Sequence, residues 1–188
     1  KTKLVQNVFS SVAPSYDIMN DLMSLGMHRL WKKRFVETVD LKENEIVLDV
    51  GSGSGDIARE ILKENLPTSL YLLDLNEEML LEGRKRLKKE KNIKYFIGNA
   101  EKLNFENNFF DKYTISFCLR NVTEYLLSIK EAYRVLKPGG KYSCLEFSTP
   151  KSSLISSSYK IYKSRILPLL GELVAKDKNA YNLSLIHI

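Results

Sequence analysis

The feature that most constrains the fold is an apolar run that ends in a glycine-rich turn. Residues Ile46–Val50 read Ile-Val-Leu-Asp-Val, and a Gly-Ser-Gly-Ser-Gly turn follows before a helical stretch that begins at Asp56. Glycines let a backbone approach a ligand closely, and the start of a helix presents free N–H groups. This order predicts a buried strand, a ligand-binding turn and a helix, the first unit of a parallel sheet.

The alternation of short β-branched runs with longer helical runs continues over residues 41–150. It is typical of βαβ units, so we expect an α/β fold with a Rossmann-like parallel sheet and helices on both faces. We expect Pro138-Gly139-Gly140 to end the last helix, since proline cannot continue a helix and glycine favours its C-terminal cap. The carboxyl ends of the strands would then share the edge where open α/β sheets bind ligands. The predicted strands are Ile46–Val50, 70–73, Ile93–Ile97, 113–117 and 141–147, and the predicted helices are 56–64, 77–90 and 125–136.

Two flanking segments complete a single predicted domain over residues 1–188. Residues 1–40 are rich in Met, Asn, His and aromatic residues, and they predict a helical lid of two or three short helices. Residues 151–188 predict an amphipathic segment interrupted at Pro168, for which packing on the protein's own sheet and contact with a membrane both remain open. No apolar run approaches the roughly 18 residues that a membrane span needs.

Composition narrows the expected partners. The net charge is +6, but lysines are scattered among glutamates, so we expect solvated helix faces and no nucleic-acid partner. Cys118 and Cys144 lie in apolar runs without the spacing of metal ligands. They indicate reduced core residues, a cytosolic type of compartment and no metal site.

The glycine turn alone does not identify the ligand. A dinucleotide fingerprint would need its third glycine at position 56, where this chain has Asp56, so a nicotinamide or flavin ligand is disfavoured. Asp74 follows the second predicted strand, where a carboxylate can accept hydrogen bonds from both hydroxyls of an adenosine ribose. Dehydrogenases and methyltransferases share this pattern, and a cap of the following helix is the structural alternative for Asp74.

Segments after the later strands separate these classes. Asn99 and Ala100 lie in a Gly-Asn-Ala-Glu segment after the third predicted strand. Ser116 opens a Ser-Phe-Cys-Leu-Arg-Asn segment at the end of the fourth predicted strand. With the glycine turn, Asp74 and the Leu-Lys-Pro-Gly-Gly segment, they resemble the ordered motif series of class I methyltransferases, which implies S-adenosyl-L-methionine as cofactor. That class usually closes its sheet with a further helix and a C-terminal hairpin. No residues remain here to build them, so we expect the hairpin to be missing and residues 151–188 to be truncated.

The resemblance narrows to one family. Residues 8–32 contain Val-Phe, Val-Ala, Tyr-Asp, Met-Asn-Asp, Met-Ser, Gly, His-Arg and Trp-Lys at the spacing of an N-terminal signature, and Arg-Asn-Val-Thr at 120–123 and Leu-Glu-Phe-Ser at 145–148 resemble two internal signatures. These segments are similar to those of the UbiE/COQ5 (MenG) family of ubiquinone and menaquinone C-methyltransferases. Ser54 stands where the family usually has Thr, and Ser52 and Cys118 stand where it usually has Gly. The implied cofactor-binding residues are Gly51, Gly53, Ser54, Asp74, Asn99, Ala100 and Ser116.

The implied chemistry, methylation of an aromatic carbon, requires a ring hydroxyl to lose its proton. Arg120 stays charged, so we expect it to stabilise the phenolate or to orient a water molecule; an ion pair at a strand end is the alternative. His28 and Tyr16 are the other catalytic candidates, although a histidine in a helical lid is more often structural. The expected substrate contacts are Asp17, Asn20 and Asn121; Asp17 could instead cap a helix and Asn121 could form a turn.

The resemblance implies methylation of the ring of a polyprenylated quinol, demethylmenaquinol or 2-methoxy-6-polyprenyl-1,4-benzoquinol. Two alternatives stay open. One is another small-molecule or RNA methyltransferase, although the Asn/Asp-Pro-Pro-Tyr motif of amine methylation is missing after the fourth strand; the other is a non-catalytic scaffold subunit. We expect a cytoplasmic protein that lies peripherally at the inner membrane face, on the matrix side in a mitochondrion. The expected partners are the quinol, the membrane surface and other quinone-biosynthesis enzymes.

Overall fold

The computed structural model describes residues 18, 20–21, 24–66 and 68–147, which form a parallel sheet with helices on both faces. The predictions for residues 1–17 and 148–188, including the amphipathic C-terminal segment and the missing hairpin, lie outside the described residues. In chain order the elements are α1 (Met27–Val39), β1 (Ile46–Val50), α2 (Asp56–Leu62), β2 (Ser69–Asp74), α3 (Glu77–Arg86), β3 (Ile93–Ile97), β4 (Phe110–Ser116), a 3-10 helix (Leu119–Asn121), α4 (Tyr125–Val135) and β5 (Leu136–Leu145).

The strands follow the order β3-β2-β1-β4-β5, and every neighbouring pair is parallel. Leu48 of the central strand β1 is in register with Tyr71 of β2 on one side and with Tyr113 of β4 on the other. The chain therefore winds outward from β1 to β3 and then reverses direction to place β4. Such a reversal leaves a crevice at the carboxyl edge of the sheet, where ligands bind. The predicted Rossmann-like fold class is confirmed.

Alternate residues of β1 enter two separate apolar layers, since successive side chains of a strand point to opposite faces. Leu48 and Val50 pack in the layer that contains Val135 of α4. Val47 packs in the other layer, with Phe35 of α1 and side chains from α2 and α3. Helix α1, predicted as part of a lid, therefore also packs against one face of the sheet. Within the described part of the chain, no helix has both the length and the apolar character needed to cross a membrane.

The Pro138-Gly139-Gly140 segment does not end a helix, contrary to the sequence prediction. Helix α4 ends at Val135, and Leu136 is already extended and paired with Phe110 of β4. The ladder then shifts register before it resumes at Lys141, because proline has no N–H to donate and Gly139 takes a positive φ of 81°. The segment therefore forms an irregular stretch inside β5.

Other predicted boundaries shift by a few residues. β2 and β4 begin earlier than predicted, at Ser69 and Phe110, and β5 ends at Leu145 rather than at residue 147. Helices α2 and α3 end earlier, at Leu62 and Arg86. In α3 the last helical hydrogen bond runs from the Leu87 N–H to the Gly83 carbonyl, and Leu87 itself has left the helical conformation, with φ −103° and ψ 22°. The strands Ile46–Val50 and Ile93–Ile97 have the predicted bounds.

Candidate active site

A cavity of about 120 Å³, partly open to solvent, lies at the carboxyl edge of the sheet. The ends of β1, β2 and β4 and the loop after β3 supply its walls, so it occupies the crevice that the strand order creates. Apolar side chains such as Leu73, Met79 and Val122 line it together with polar groups, as is usual for small-molecule sites. The predicted substrate residue Asn121 lines the cavity. So do six of the seven predicted cofactor residues, which are Gly51, Gly53, Asp74, Asn99, Ala100 and Ser116.

The turn after β1 has room only for glycine at its first position. Gly51 has a φ of +66°, and a Cβ added to it would lie 2.3 Å from the Sγ of Cys118. The N–H groups of Gly51 and Ser52 both donate to the Leu73 carbonyl of β2, at 2.8 and 3.1 Å. These contacts hold the turn against the end of β2 and bring its backbone to the cavity wall.

The carboxylate of Asp74 is held by backbone N–H groups. One oxygen accepts from the N–H of Gly53 and the other from the N–H of Asn76, both at 2.8 Å. Burial raises the pKa of Asp74, and these backbone hydrogen bonds oppose that rise. The cap of α3 is the side chain of Asn76, which accepts from the Met79 N–H. Asp74 is therefore not the helix cap and directs its carboxylate to the cavity instead.

Three buried polar atoms around the turn lack a hydrogen-bond partner within the described ranges. They are one carboxylate oxygen of Asp49 and the hydroxyls of Ser52 and Ser116. The other oxygen of Asp49 accepts from the Thr114 hydroxyl at 2.8 Å. Burial raises the pKa of Asp49 to about 7. Since buried polar groups are nearly always hydrogen-bonded, unsatisfied atoms at this edge fit a site that receives a polar ligand.

Ser54, the seventh predicted cofactor residue, does not line the cavity. Its side chain is buried behind the turn, where its hydroxyl accepts a hydrogen bond from Arg86 at 3.3 Å. The turn around it is tight enough that Gly83 of α3 packs against the backbone of Gly53 and Ser54. In this structure the Ser54 hydroxyl supports the turn from the side of α3.

Arg120 lies in the 3-10 helix after β4, next to the cavity wall formed by Cys118 and Asn121. Its guanidinium donates to the carboxylate of Glu146 at 2.5 Å, so the ion pair considered as an alternative is present. The same guanidinium lies 4.9 Å from the centre of the Phe147 ring. Arg120 is not among the cavity-lining residues, although its immediate neighbours are.

His28 is buried in α1 and is engaged with a carboxylate. Its Nε2 lies 2.8 Å from Asp21, which also accepts two hydrogen bonds from Arg29. Burial lowers the pKa of His28, while the hydrogen bond with Asp21 opposes that change. His28 does not line the cavity, and these contacts favour a structural role for it.

The remaining site residues predicted in the lid are Asn20, Tyr16 and Asp17, of which the structure describes only Asn20. Asn20 has a helical conformation, and its carbonyl accepts a hydrogen bond from the Ser24 hydroxyl at 2.7 Å. It does not line the cavity. Tyr16 and Asp17 lie outside the described residues, so their predicted roles stay predictions.

Sequence reasoning missed a buried ion-pair network behind the glycine turn. Lys32 of α1 donates to Asp56 at 2.5 Å, and both side chains are 8% exposed. Arg86 of α3 contacts the other oxygen of Asp56 at 2.7 Å, and Arg59 lies 3.5 Å from it. The one available signal was Asp56 itself, a charged residue where a dinucleotide turn would have glycine. Two of its partners, Lys32 and Arg86, come from helices distant in sequence, which no local pattern identifies.

A second missed feature is a cluster of three aromatic rings beside the cavity. Trp31 of α1 makes edge-to-face contacts with Phe117 and Phe147, and the two phenylalanine rings stack with their centres 4.6 Å apart. Phe117 also lines the cavity and has a positive φ of 52°, which is rare for a bulky residue. The cluster connects the N-terminal helix to the cavity wall.

Comparisons with known proteins give a family match over nearly the whole chain. The profile of the ubiE/COQ5 methyltransferase family matches residues 1–185. A ubiquinone/menaquinone biosynthesis C-methyltransferase UbiE of Rickettsia bellii is 48% identical over 97% of this chain and 76% of its own length. The UbiE C-methyltransferase of Rickettsia typhi is 48% identical over 96% of this chain and 75% of its own length.

Solved structures give the same fold. A SAM-dependent methyltransferase of Aquifex aeolicus superposes with a TM-score of 0.57 at 22% identity, over 65% of this chain and 66% of that one. A phosphoethanolamine N-methyltransferase 2 of Haemonchus contortus, in complex with S-adenosylhomocysteine, superposes with a TM-score of 0.59 at 25% identity. That match covers 78% of this chain and 36% of the other.

Proposed function

The chain belongs to the ubiE/COQ5 methyltransferase family and is an S-adenosylmethionine-dependent methyltransferase, and from this premise we propose that it methylates a ring carbon of a polyprenylated quinol. The proposed substrates are demethylmenaquinol and 2-methoxy-6-polyprenyl-1,4-benzoquinol. The observation that carries the proposal is the cavity at the carboxyl edge, which Asp74 and the glycine turn line together with Ser116 and Asn121. Such a site can bind both a nucleotide-like cofactor and a small ring substrate.

The residues present fit S-adenosylmethionine. The Asp74 carboxylate has about four acceptor sites, and the backbone N–H groups of Gly53, Leu75 and Asn76 leave at least one of them for a ribose hydroxyl. The unsatisfied hydroxyl of Ser116, a residue that lines the cavity, offers a polar contact for the charged amino-acid end of the molecule. When bound, the cofactor supplies an electrophilic methyl group on a sulfonium sulfur.

The protein's own part in the reaction is to make the ring carbon nucleophilic and to hold it in place. A ring hydroxyl that gives its proton to a water molecule increases the electron density of the ring, and a fixed cation next to the oxygen stabilises the resulting phenolate. A guanidinium is a cation with hydrogen-bond donors and no acceptor, which suits Arg120 to stabilising the phenolate or orienting the water rather than to acting as the base. Asn121, on the cavity wall, can donate from its amide to a ring oxygen. His28 is engaged with Asp21, so we propose no proton transfer for it.

The decisive experiment supplies S-adenosylmethionine with a labelled methyl group together with each demethylated quinol in turn. We expect label in the quinol product, at a rate that depends on the quinol offered. The Asp74→Ala variant is the matched control, because it should lose cofactor affinity without a change in the aromatic cluster. A protein that binds the cofactor but transfers no label to either quinol would contradict the proposed function.

We further propose that the protein attaches peripherally to the cytoplasmic face of the inner membrane, or to the matrix face in a mitochondrion. A polyprenyl tail is insoluble in water, so its ring must be reached at a lipid surface. Leu25 is 76% exposed, and Met27 and Leu30 of α1 are also exposed, with Lys33 and Arg34 on the same helix. Apolar side chains flanked by cations suit an anionic lipid surface.

Cosedimentation with anionic vesicles tests this attachment. The Leu25→Asp variant should reduce binding, whereas Tyr133→Asp on α4, where the tyrosine is 84% exposed, should not. Equal binding of the two variants and the wild type would contradict attachment through the Leu25 surface.

A further inference from the structure

We propose that Glu146 is a positioning residue that fixes the Arg120 guanidinium beside the cofactor cavity. The inference rests on the proposed function, since it concerns how Arg120 is presented to the ring hydroxyl. Glu146 follows β5 and Arg120 follows β4, so the pair joins the ends of two neighbouring strands at the edge that bears the cavity.

Glu146 holds Arg120 at two points. One carboxylate oxygen accepts from the guanidinium at 2.5 Å, and the other accepts from the Arg120 backbone N–H at 3.3 Å. The Phe147 N–H donates to the first oxygen at 3.1 Å and fixes the carboxylate in turn. A carboxylate bound to both the backbone and the side chain of one arginine limits the positions of that side chain more than a single contact would.

Aromatic rings support the guanidinium from another direction. Its central carbon lies 4.9 Å from the centre of the Phe147 ring and 5.9 Å from that of Phe117, within the range of cation–π contacts. Trp31 packs edge-on against both rings. The arginine is therefore held between a carboxylate and two rings, of which the Phe117 ring belongs to a residue that lines the cavity.

The pair is only partly shielded from water, which is why a positioning role is favoured over a purely structural one. The side chains of Arg120 and Glu146 are 24% and 22% exposed. Contact with water weakens the attraction within an ion pair and so reduces what the pair adds to stability. A group that stabilises a developing charge must instead be held in place before the reaction, and small displacements of it are costly.

The test is a double-variant cycle on turnover. Arg120→Ala should lower kcat by about a hundredfold, as expected for loss of one stabilising donor. Glu146→Gln keeps the size of the side chain but loses its charge, and should lower kcat by about tenfold with the KM for the quinol changed less than twofold. If Glu146 acts only through Arg120, Glu146→Gln should have no further effect in the Arg120→Ala background.

Two further measurements separate positioning from folding. Glu146→Asp keeps the charge and should recover part of the lost turnover. Quinol affinity can be followed by quenching of Trp31, the one tryptophan of the chain, and should be nearly unchanged in Glu146→Gln. The matched control is Glu131→Gln, which removes the charge from the Arg134–Glu131 pair away from the cavity and should leave kcat at the wild-type value.

Several results would overturn the inference. Wild-type turnover in Glu146→Gln, with Arg120→Ala still slow, would show that Arg120 does not need its partner. A tenfold effect of Glu146→Gln that persists in the Arg120→Ala background would show that Glu146 acts independently. Failure of the proposed function is distinguishable, because the wild type would then bind the cofactor and methylate neither quinol, and the inference would fall with it.

Discussion

Loss of Lys32 and loss of Asp56, the two buried members of the ion-pair network behind the glycine turn, should lower the free energy of unfolding by different amounts. Lys32→Met removes one of three cations around Asp56, whereas Asp56→Asn removes the carboxylate that all three cations share. In the structure Asp56 keeps Arg86 at 2.7 Å and Arg59 at 3.5 Å when Lys32 is lost. Lys32 has no second carboxylate within ion-pair distance in the described ranges. We therefore expect Asp56→Asn to cost more free energy of unfolding.

The magnitudes follow from burial. Removing one partner of a buried pair costs about 3–5 kcal/mol because the other charge remains uncompensated. Asp56→Asn meets this condition at Lys32, which is 8% exposed, and also removes an anion from the start of α2, worth about 0.3–1 kcal/mol. Lys32→Met leaves Asp56 paired, so its cost should be smaller, about 1–2 kcal/mol. Adding Lys32→Met to Asp56→Asn removes the stranded cation and should partly restore stability.

Urea denaturation followed by Trp31 fluorescence measures these changes, and a constant m-value would show that the unfolding reaction is unchanged. Arg34→Met is the control, since it breaks a pair on the same helix that is 72% and 38% exposed and should cost less than about 1 kcal/mol. The reasoning is refuted if Lys32→Met costs as much as Asp56→Asn, or if the double variant is less stable than Asp56→Asn.

The pH dependence has a defined sign. Burial alone would raise the pKa of Asp56, but the charges of Lys32, Arg59 and Arg86 lower it overall. A lowered pKa in the folded state stabilises the fold above the unfolded pKa, and the contribution is lost as the pH falls. The difference in stability between the wild type and Asp56→Asn should therefore shrink below about pH 4.

Three other predictions concern the cavity. Asp74→Ala should weaken cofactor binding by tenfold or more, about 1.5–3 kcal/mol, as measured by calorimetry; unchanged affinity would exclude Asp74 from the site. Since burial raises the pKa of Asp49 to about 7, its contribution to stability should be lost as the pH rises from about 4 to 7, and Asp49→Asn should remove this part of the pH dependence of urea unfolding. Gly51→Ala should destabilise the protein by about 1–3 kcal/mol, because its Cβ would overlap Cys118 and its φ is positive; adding Cys118→Gly should recover part of the loss in thermal unfolding, and no recovery would show that the clash is not the cause.

Features of the site that depend on local sequence could be predicted. The apolar run before Gly51 and the acidic residue after the second run fix where two parallel strands end, and strand ends of one sheet meet at one edge. This logic predicts that Gly51 and Asp74 border a common cavity, and the family resemblance adds Ser116; all three residues line the cavity in the structure.

Features that depend on distant partners could not be predicted. The irregular stretch at Pro138 follows from pairing of Leu136 with Phe110, and this long-range contact overrides the local preference for a helix cap. The family resemblance assigns Ser54 to the cofactor, but the direction of its hydroxyl is set by Arg86 on another helix. The pairing of Lys32 with Asp56 likewise depends on how α1 docks, which residue spacing does not encode.

The central position of β1 has a consequence for the order of folding. Gly51 follows β1 and Asp74 ends β2, and these two strands are close in sequence and can pair early. Ser116 ends β4 and Asn121 follows it; β4 pairs with β1 only after the intervening chain has closed a long loop, and such non-local pairing is slow. The site is therefore complete only when β4 docks. A cofactor that bridges the two halves would stabilise that docked state by mass action, so that its concentration should set how often the second half of the sheet opens.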